Sequence, residues 1–106
     1  MIELKFKQNS AQLGEVKIIM RIIGQMIYFK FNNNQYSESV IQQMQQKGAK
    51  IIKAKDWIRA DIFGDNEDVK IGGVEFNVKE TKEEEKERIL SEFFITQYLK
   101  AGFIRE

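Results

Sequence analysis

Hydrophobic and polar residues alternate strictly at the start of the chain. In the segment IELKF, Ile2, Leu4 and Phe6 fall on one side of an extended backbone, and charged residues fall on the other. This period of two predicts a half-buried strand. The polar segment QNSAQLG that follows it predicts a loop.

Residues 15–32, EVKIIMRIIGQMIYFKFN, predict a β-hairpin. A two-residue turn at Gly24–Gln25 sets its register, because glycine provides the positive φ that a type II′ turn needs at its first position. Six apolar residues then fall on one face in three pairs: Ile22 with Ile27, Met20 with Phe29, and Ile18 with Phe31. A slip of one residue would scatter them over both faces. A buried helix over residues 15–23 is the alternative interpretation, but the β-branched residues and the matched register favour the hairpin.

Two helices are predicted from their apolar stripes and their start signals. Ser37 is a candidate N-cap for a helix over residues 38–47. Thr81 and Glu84 have the T-x-x-E spacing of a capping box, which predicts a second helix over residues 82–101. The charged segment at its start, KEEEKER, is polar all round and is expected to project into solvent.

Further strands are predicted between the two helices. Over residues 52–63 the even positions are apolar except for Asp56, which indicates two shorter strands separated by a break or bulge. Residues 69–78, VKIGGVEFNV, predict another strand with a bulge at Gly72–Gly73, since the apolar positions before and after the glycines match only if one residue is looped out.

The predicted order of elements is therefore βββα-ββ(β)-α. A chain of 106 residues has room for one modest core, so residues 1–106 are expected to form a single domain. The predicted fold class is α+β, with two layers: a mostly antiparallel sheet with two helices packed on one face.

Composition removes several kinds of chemistry. The chain has no cysteine and no histidine, so disulfides, zinc-thiolate sites, cysteine nucleophiles and Ser-His-Asp triads are excluded. It contains no phosphate-binding glycine motif, and no cofactor is predicted. No segment approaches the roughly 18 apolar residues of a membrane helix, and the alternating N-terminus differs from a signal peptide, so the expectation is a cytoplasmic protein with no membrane contact.

A net charge of +1 argues against bulk attraction to nucleic acid, but the strand pattern predicts local polarity. Residues 80–92 are rich in acids, whereas the sheet face away from the helices is expected to carry basic residues with aromatic residues among them. Such faces hold single-stranded nucleic acid by stacking on bases and by contact with phosphates. The predicted contact residues are Arg21, Tyr28, Lys53, Lys55, Trp57 and Arg59. The alternative is an ordinary solvent-facing sheet whose lysine stems pack along Trp57.

The last predicted helix is apolar around most of its circumference, although a surface helix needs only a stripe. This surplus predicts a contact with a second copy of the chain or with another protein, because aromatic residues dominate such interfaces. The predicted interface residues are Phe93, Phe94, Ile95, Tyr98 and Leu99. The alternative is a monomer in which GFIRE and the first strand cover the spare side.

Acidic residues cluster at Asp61, Asp65, Glu67 and Asp68. Their spacing does not match a calcium loop. Together with Lys70 they resemble the D…(D/E)-x-K pattern of metal-dependent nucleases, but a polar hairpin turn is the simpler interpretation, and no metal site is predicted.

The sequence thus leads to three hypotheses in order of preference. The first is a small non-enzymatic binding or assembly module that acts through protein–protein contact, by self-association through its C-terminal helix. The second is weak binding of single-stranded nucleic acid on the basic and aromatic sheet face. The third is a metal-dependent phosphodiesterase.

Overall fold

A computed structural model describes residues 1–106, which form eight strands and two helices. In chain order these are β1 (Ile2–Ser10), β2 (Gly14–Ile23), β3 (Met26–Phe31), α1 (Asn34–Gln46), β4 (Lys50–Lys53), β5 (Ile58–Asp61), β6 (Asp68–Ile71), β7 (Val74–Asn77), α2 (Glu83–Lys100) and β8 (Ile104–Arg105). Six strands form one antiparallel sheet in the order β4-β5-β3-β2-β1-β8, and β6 and β7 form a separate hairpin. Both helices pack on the same side of the large sheet, which confirms the predicted α+β class.

The β2–β3 hairpin has the register that the apolar pattern predicted. Its partners include Ile22 with Ile27, Met20 with Phe29, and Ile18 with Phe31. Five of these six residues are buried, and Phe31 is half-buried. Gly24 has a φ of +60°, which satisfies the first position of the turn. The alternative of a helix over residues 15–23 is wrong.

The hydrophobic core lies between β1, β2, β3 and α2. Phe29 meets the ring of Phe94 edge-on at 6.1 Å between centroids, and Phe6 lies 4.9 Å from Tyr98. Leu90, one turn before Phe94, is fully buried. The inner side of the central strands therefore forms most of its contacts with a single helix.

The first helix begins earlier than predicted. Asn33 is its N-cap, and the Oδ1 of Asn33 accepts a hydrogen bond of 2.9 Å from the backbone N–H of Tyr36. Ser37 is therefore inside the helix, and the predicted cap at Ser37 is wrong. Asn and Ser are both good N-caps, so the local pattern did not distinguish them.

The second helix begins at Glu83, one residue after the predicted start, but without the predicted capping box. The hydroxyl of Thr81 donates to the carbonyl of Asn77 at 2.7 Å, so it closes the preceding turn instead of capping the helix. The N-cap residue is Lys82, whose side chain makes no capping hydrogen bond. A turn that competes for the same hydroxyl explains the error.

The charged start of α2 does not project freely into solvent, contrary to the prediction. Lys86 and Glu87 are buried. The Oε2 of Glu87 accepts a 2.8 Å hydrogen bond from the backbone N–H of Gly24, and the Nζ of Lys86 donates to the carbonyl of Val78 at 3.1 Å. These two side chains attach α2 to the β2–β3 turn and to the end of β7.

The break predicted at Asp56 is present, but its consequence differs from the prediction. Residues 54–57 form a tight turn, closed by a 2.9 Å hydrogen bond from the N–H of Ala54 to the carbonyl of Trp57. β4 folds back against β5, so that Ile51 pairs with Ala60. This reversal places Ile51 on the core side and moves Ile52 to the opposite side, where it is exposed.

The predicted bulge at Gly72–Gly73 is instead the turn of a hairpin. Both glycines have positive φ, +57° and +82°, as a type I′ turn requires at its two central positions. Ile71 pairs with Val74 directly across that turn. The apolar positions before and after the two glycines are out of phase because the chain reverses there, and not because one residue is looped out.

Candidate nucleic-acid interface

The side of the six-stranded sheet opposite the helices, called the outer face, carries a basic surface. Strand alternation and register place its members as follows: Glu3, Lys5 and Lys7 on β1; Glu15, Lys17, Ile19, Arg21 and Ile23 on β2; Met26, Tyr28 and Lys30 on β3; Arg59 and Asp61 on β5; Lys50 and Ile52 on β4. Basic side chains outnumber acidic ones on this face. Since α2 carries the acidic segment on the other side, the nearly neutral chain has two sides of different charge.

Four of these side chains lie near the single tryptophan, and together with it they are called the Trp57 cluster: Arg21, Tyr28, Lys30, Arg59 and Trp57. The guanidinium carbon of Arg21 lies 4.7 Å from the centroid of the indole, and the Nζ of Lys30 lies 5.9 Å from it. A cation over an indole ring at these distances is attracted by the negative face of the ring. Trp57 itself is half-buried.

Backbone register explains how these residues meet. Tyr28 pairs with Arg21 of β2 on one side and with Arg59 of β5 on the other, so the three form a row across the sheet. Trp57 ends the β4–β5 turn and directly precedes β5, which runs beside β3. The turn therefore brings the indole next to residues that lie about thirty positions earlier in the chain.

Arg21 contacts the carboxylate of Glu3 as well as the indole of Trp57. The Nε of Arg21 donates to the Oε2 of Glu3 at 2.8 Å, across the β1–β2 pair. This hydrogen bond lowers the pKa of the Glu3 carboxyl below its ordinary value, and the positive charge of Arg21 adds to the effect. Because both side chains are on the surface, the ion pair is weak and water competes for it.

Two other cations of the cluster have no carboxylate within 4.0 Å, namely Lys30 and Arg59. The Nε of Arg59 is enclosed and has no hydrogen-bond acceptor in the protein. Buried donors usually have a partner, because an unsatisfied N–H costs free energy. This enclosed Nε is out of a ligand's reach, so a contact between Arg59 and a phosphate oxygen has to use the terminal nitrogens of the guanidinium.

The structure brings together four of the six residues that the sequence predicted for this face, Arg21, Tyr28, Trp57 and Arg59. Lys53 is placed elsewhere: it pairs with Ile58, whose own partner is the core residue Phe29, so it lies on the helix side. There its Nζ is 3.5 Å from the Oε1 of Glu38 in α1. Its predicted position on the basic face is wrong, because the prediction continued one alternation through residues 54–57, where the chain reverses.

Lys55 lies in the exposed β4–β5 turn, beyond the end of both strands. Lys30, in contrast, was absent from the predicted contact set although it lies over the indole. Its alternation with Tyr28 along β3 placed it on the outer face, but its proximity to Trp57 depends on the β3–β5 pairing, which the sequence did not specify.

The five residues predicted to form a protein interface on α2 are mostly covered within the chain. Phe94 and Tyr98 are 7% and 8% exposed, Phe93 and Ile95 are half-buried, and only Leu99, at 50%, is well exposed. Tyr98 packs against Phe103 at 5.2 Å, and the ring of Phe93 lies against the β6–β7 turn. Much of the wide apolar surface of α2 therefore packs against Phe103 and the β6–β7 hairpin of the same chain.

The acidic cluster does not converge. Each carboxylate has a separate partner: Asp61 accepts from the N–H of Phe63 at 3.2 Å, Asp65 from Lys50 at 2.7 Å and Asp68 from Asn77 at 3.1 Å, while Glu67 lies 3.7 Å from Lys79. No three acidic side chains are placed to hold a metal ion together. These contacts are those of a polar turn between β5 and β6.

Comparisons with protein-family models, curated proteins and solved structures find no match to this chain. Neither helix combines the length and the apolar character needed to cross a membrane. The features of this chain that bear on function are the side chains of the outer face, above all the Trp57 cluster.

Proposed function

We propose that this protein is a small non-enzymatic binding module that holds single-stranded nucleic acid on its outer face. The observation that supports this most directly is the guanidinium of Arg21 at 4.7 Å from the indole of Trp57, on a sheet face that neither helix covers. Aromatic rings stack with any base, and cations beside them contact the phosphates.

The arrangement of the Trp57 cluster favours a single strand over a duplex. Trp57 and Tyr28 are half-buried, and Arg21 and Lys30 cover part of the indole. Bases can stack on the parts of the two rings that stay open only when they are unpaired and can turn outward. Lys30 lies two residues after Tyr28 in β3, and Arg59 lies beside Tyr28 in β5. Neither carries an internal ion pair, so phosphates can neutralise both without displacing a carboxylate.

Binding through this face is expected to be weak. Stacking contributes about 1–3 kcal/mol per base, and the cluster offers two aromatic residues. Part of the attraction is offset by Glu3, which already occupies Arg21. A dissociation constant in the micromolar range or weaker at low salt is therefore expected.

The test is a fluorescence titration with short single-stranded DNA and RNA at low salt, because Trp57 is the only tryptophan in the chain. Quenching that weakens steeply as salt increases is the expected result, since binding releases counterions from the phosphates. No quenching at low salt, or binding that does not depend on salt, would contradict the proposal.

Two lysines provide a matched pair of variants. Lys30→Gln removes a cation of the Trp57 cluster and should weaken binding and reduce the slope of affinity against salt by about one. Lys53→Gln removes a lysine on the helix side, paired with Glu38, and should leave both quantities unchanged. Glu3→Gln should strengthen binding, because it releases Arg21. Equal effects of the two lysine variants would show that the outer face is not the binding surface.

A second candidate function is self-association through α2, which one observation favours. Ile95 is half-buried at the edge of the core, and Leu99, one turn later, is half exposed. The patch is much smaller than the five-residue surface that the sequence predicted. Any dimer formed through it would be weak, since stable interfaces bury far more area.

Sedimentation at increasing protein concentration tests this second candidate. Leu99→Glu should abolish a concentration-dependent dimer, whereas Ile52→Glu, at a similarly exposed isoleucine on the outer face, should leave it intact. A wild-type chain that remains monomeric at millimolar concentration would remove self-association through α2.

A further inference from the structure

A groove runs between α1 and α2 on the helix side of the sheet, separate from the outer face. Its volume is about 390 Å³, within the range of pockets that hold small molecules. Two stripes with a spacing of four residues line its long walls: Tyr36, Val40 and Met44 on α1, and Phe93 and Gln97 on α2 followed by Ala101, its C-cap. These residues line the groove, and the two helices do not pack against each other along it.

The two ends of the groove differ in chemistry. At one end, the ring of Tyr36 lies 5.7 Å from that of Phe103, which also packs on Tyr98, so aromatic residues close it. Toward the C-terminal end of α1 the lining becomes polar, with Gln43 and Lys47 one turn apart. Lys47 is the only charged residue that lines the groove, and no carboxylate lies within 4.0 Å of its ammonium group.

We propose that this groove binds a medium-chain carboxylic acid, with the alkyl tail between the two stripes and the carboxylate at Lys47. The tail gains burial against Val40, Met44 and Phe93, and an unbranched methionine adapts to ligands of slightly different shape. An unpaired cation with no acidic neighbour in the lining selects an anionic head over a neutral or cationic one.

Isothermal titration calorimetry with decanoate and with decanol, below their aggregation concentrations, tests the proposal on the full chain. Both probes have the same tail, so their difference measures the head group alone. Decanoate should bind more tightly than decanol and should raise the melting temperature. Lys47→Gln should weaken decanoate binding by about fivefold, which is the upper range for an exposed ion pair, and leave decanol unchanged.

Lys7→Gln is the matched control, because Lys7 lies on the outer face and has no role in the groove. It should bind decanoate as the wild type does, and its melting temperature reports whether loss of a surface lysine alone affects folding. Two results would overturn the proposal: no heat and no melting shift with either probe, or equal decanoate affinity in the wild type and Lys47→Gln. A stable dimer that is lost in Met44→Glu would also overturn it, because the occupant would then be a second copy of the chain.

Discussion

Phe29 and Tyr28 are neighbours in β3, yet their side chains lie in opposite environments. Phe29 is 1% exposed and contacts Phe94 of α2, whereas Tyr28 lies on the outer face between two arginines. The inner side of the sheet is apolar because α2 and α1 cover it. The outer side has no such cover, so its side chains contribute little to folding, and their chemistry is more informative about what the protein binds.

Charged residues also differ between the two sides. On the helix side, Lys86 and Glu87 are buried and each has a specific backbone partner, so they serve the fold. On the outer face, Lys30 and Arg59 have no carboxylate partner, and Arg21 is shared between Glu3 and Trp57. Charges without internal partners are the ones that a ligand can use.

The largest expected effect contrasts the two neighbours in β3. Phe29→Ala should lower the free energy of unfolding by about 3–5 kcal/mol, because it opens a cavity beneath α2. Tyr28→Ala removes a half-buried side chain from the outer face and should cost about 1 kcal/mol or less. Urea denaturation followed by circular dichroism measures both. Similar losses would mean that the outer face is also part of the stabilising core.

An intermediate effect is expected at the buried start of α2. Glu87→Ala leaves the N–H of Gly24 buried without an acceptor and should lower the free energy of unfolding by about 2 kcal/mol. Glu84→Ala, at an exposed position in the first turn of the same helix, loses only a favourable interaction with the helix dipole, worth about 1 kcal/mol or less. Equal effects in the same denaturation assay would argue against the contact between Glu87 and the β2–β3 turn.

The smallest effect is expected at alkaline pH and concerns Tyr98. Burial raises the pKa of its hydroxyl well above the ordinary value, and the neighbouring Tyr36 adds to the shift. Since the folded-state pKa is raised, this contribution to stability is complete below pH of about 10 and is lost as the pH rises further, by at most about 1.4 kcal/mol for each pH unit.

Tyr98→Phe separates this contribution from the titration of lysines in the same pH range. The alkaline loss of stability should be smaller in Tyr98→Phe than in the wild type. Tyr28→Phe, on the outer face, should keep the loss seen in the wild type. A wild-type and a Tyr98→Phe protein with the same alkaline profile would contradict the burial of this hydroxyl.

The β2–β3 hairpin could be predicted from sequence because its determinants are local. One glycine sets the turn, and six apolar residues agree with a single register. The β4–β5 hairpin could not, since no glycine or proline marks residues 54–57, and the interruption at Asp56 does not distinguish a bulge from a reversal of the chain. The prediction therefore placed Lys53 on the wrong side of the sheet.

The apolar surplus of α2 shows a similar limit. The sequence indicated that Phe93, Phe94 and Tyr98 needed cover, but it did not identify what covers them. Phe103, the β6–β7 turn and the sheet provide that cover within the same chain. The spacing of residues along a helix shows how wide its apolar surface is, but it does not identify the distant segment that packs there.

The sequence by itself determined the α+β class, the central hairpin with its register, and the basic character of one sheet face. These features follow from apolar residues that recur every two residues in strands and roughly every four in helices. Such patterns depend only on residues that are close together in the chain. Only the tertiary structure decided that Trp57 lies over Arg21 and Lys30, that Lys53 lies beside α1, and that a groove separates the helices. Each of these depends on strand order and on contacts between distant segments, because pleating assigns a side chain to a face but leaves its cross-sheet neighbours undetermined.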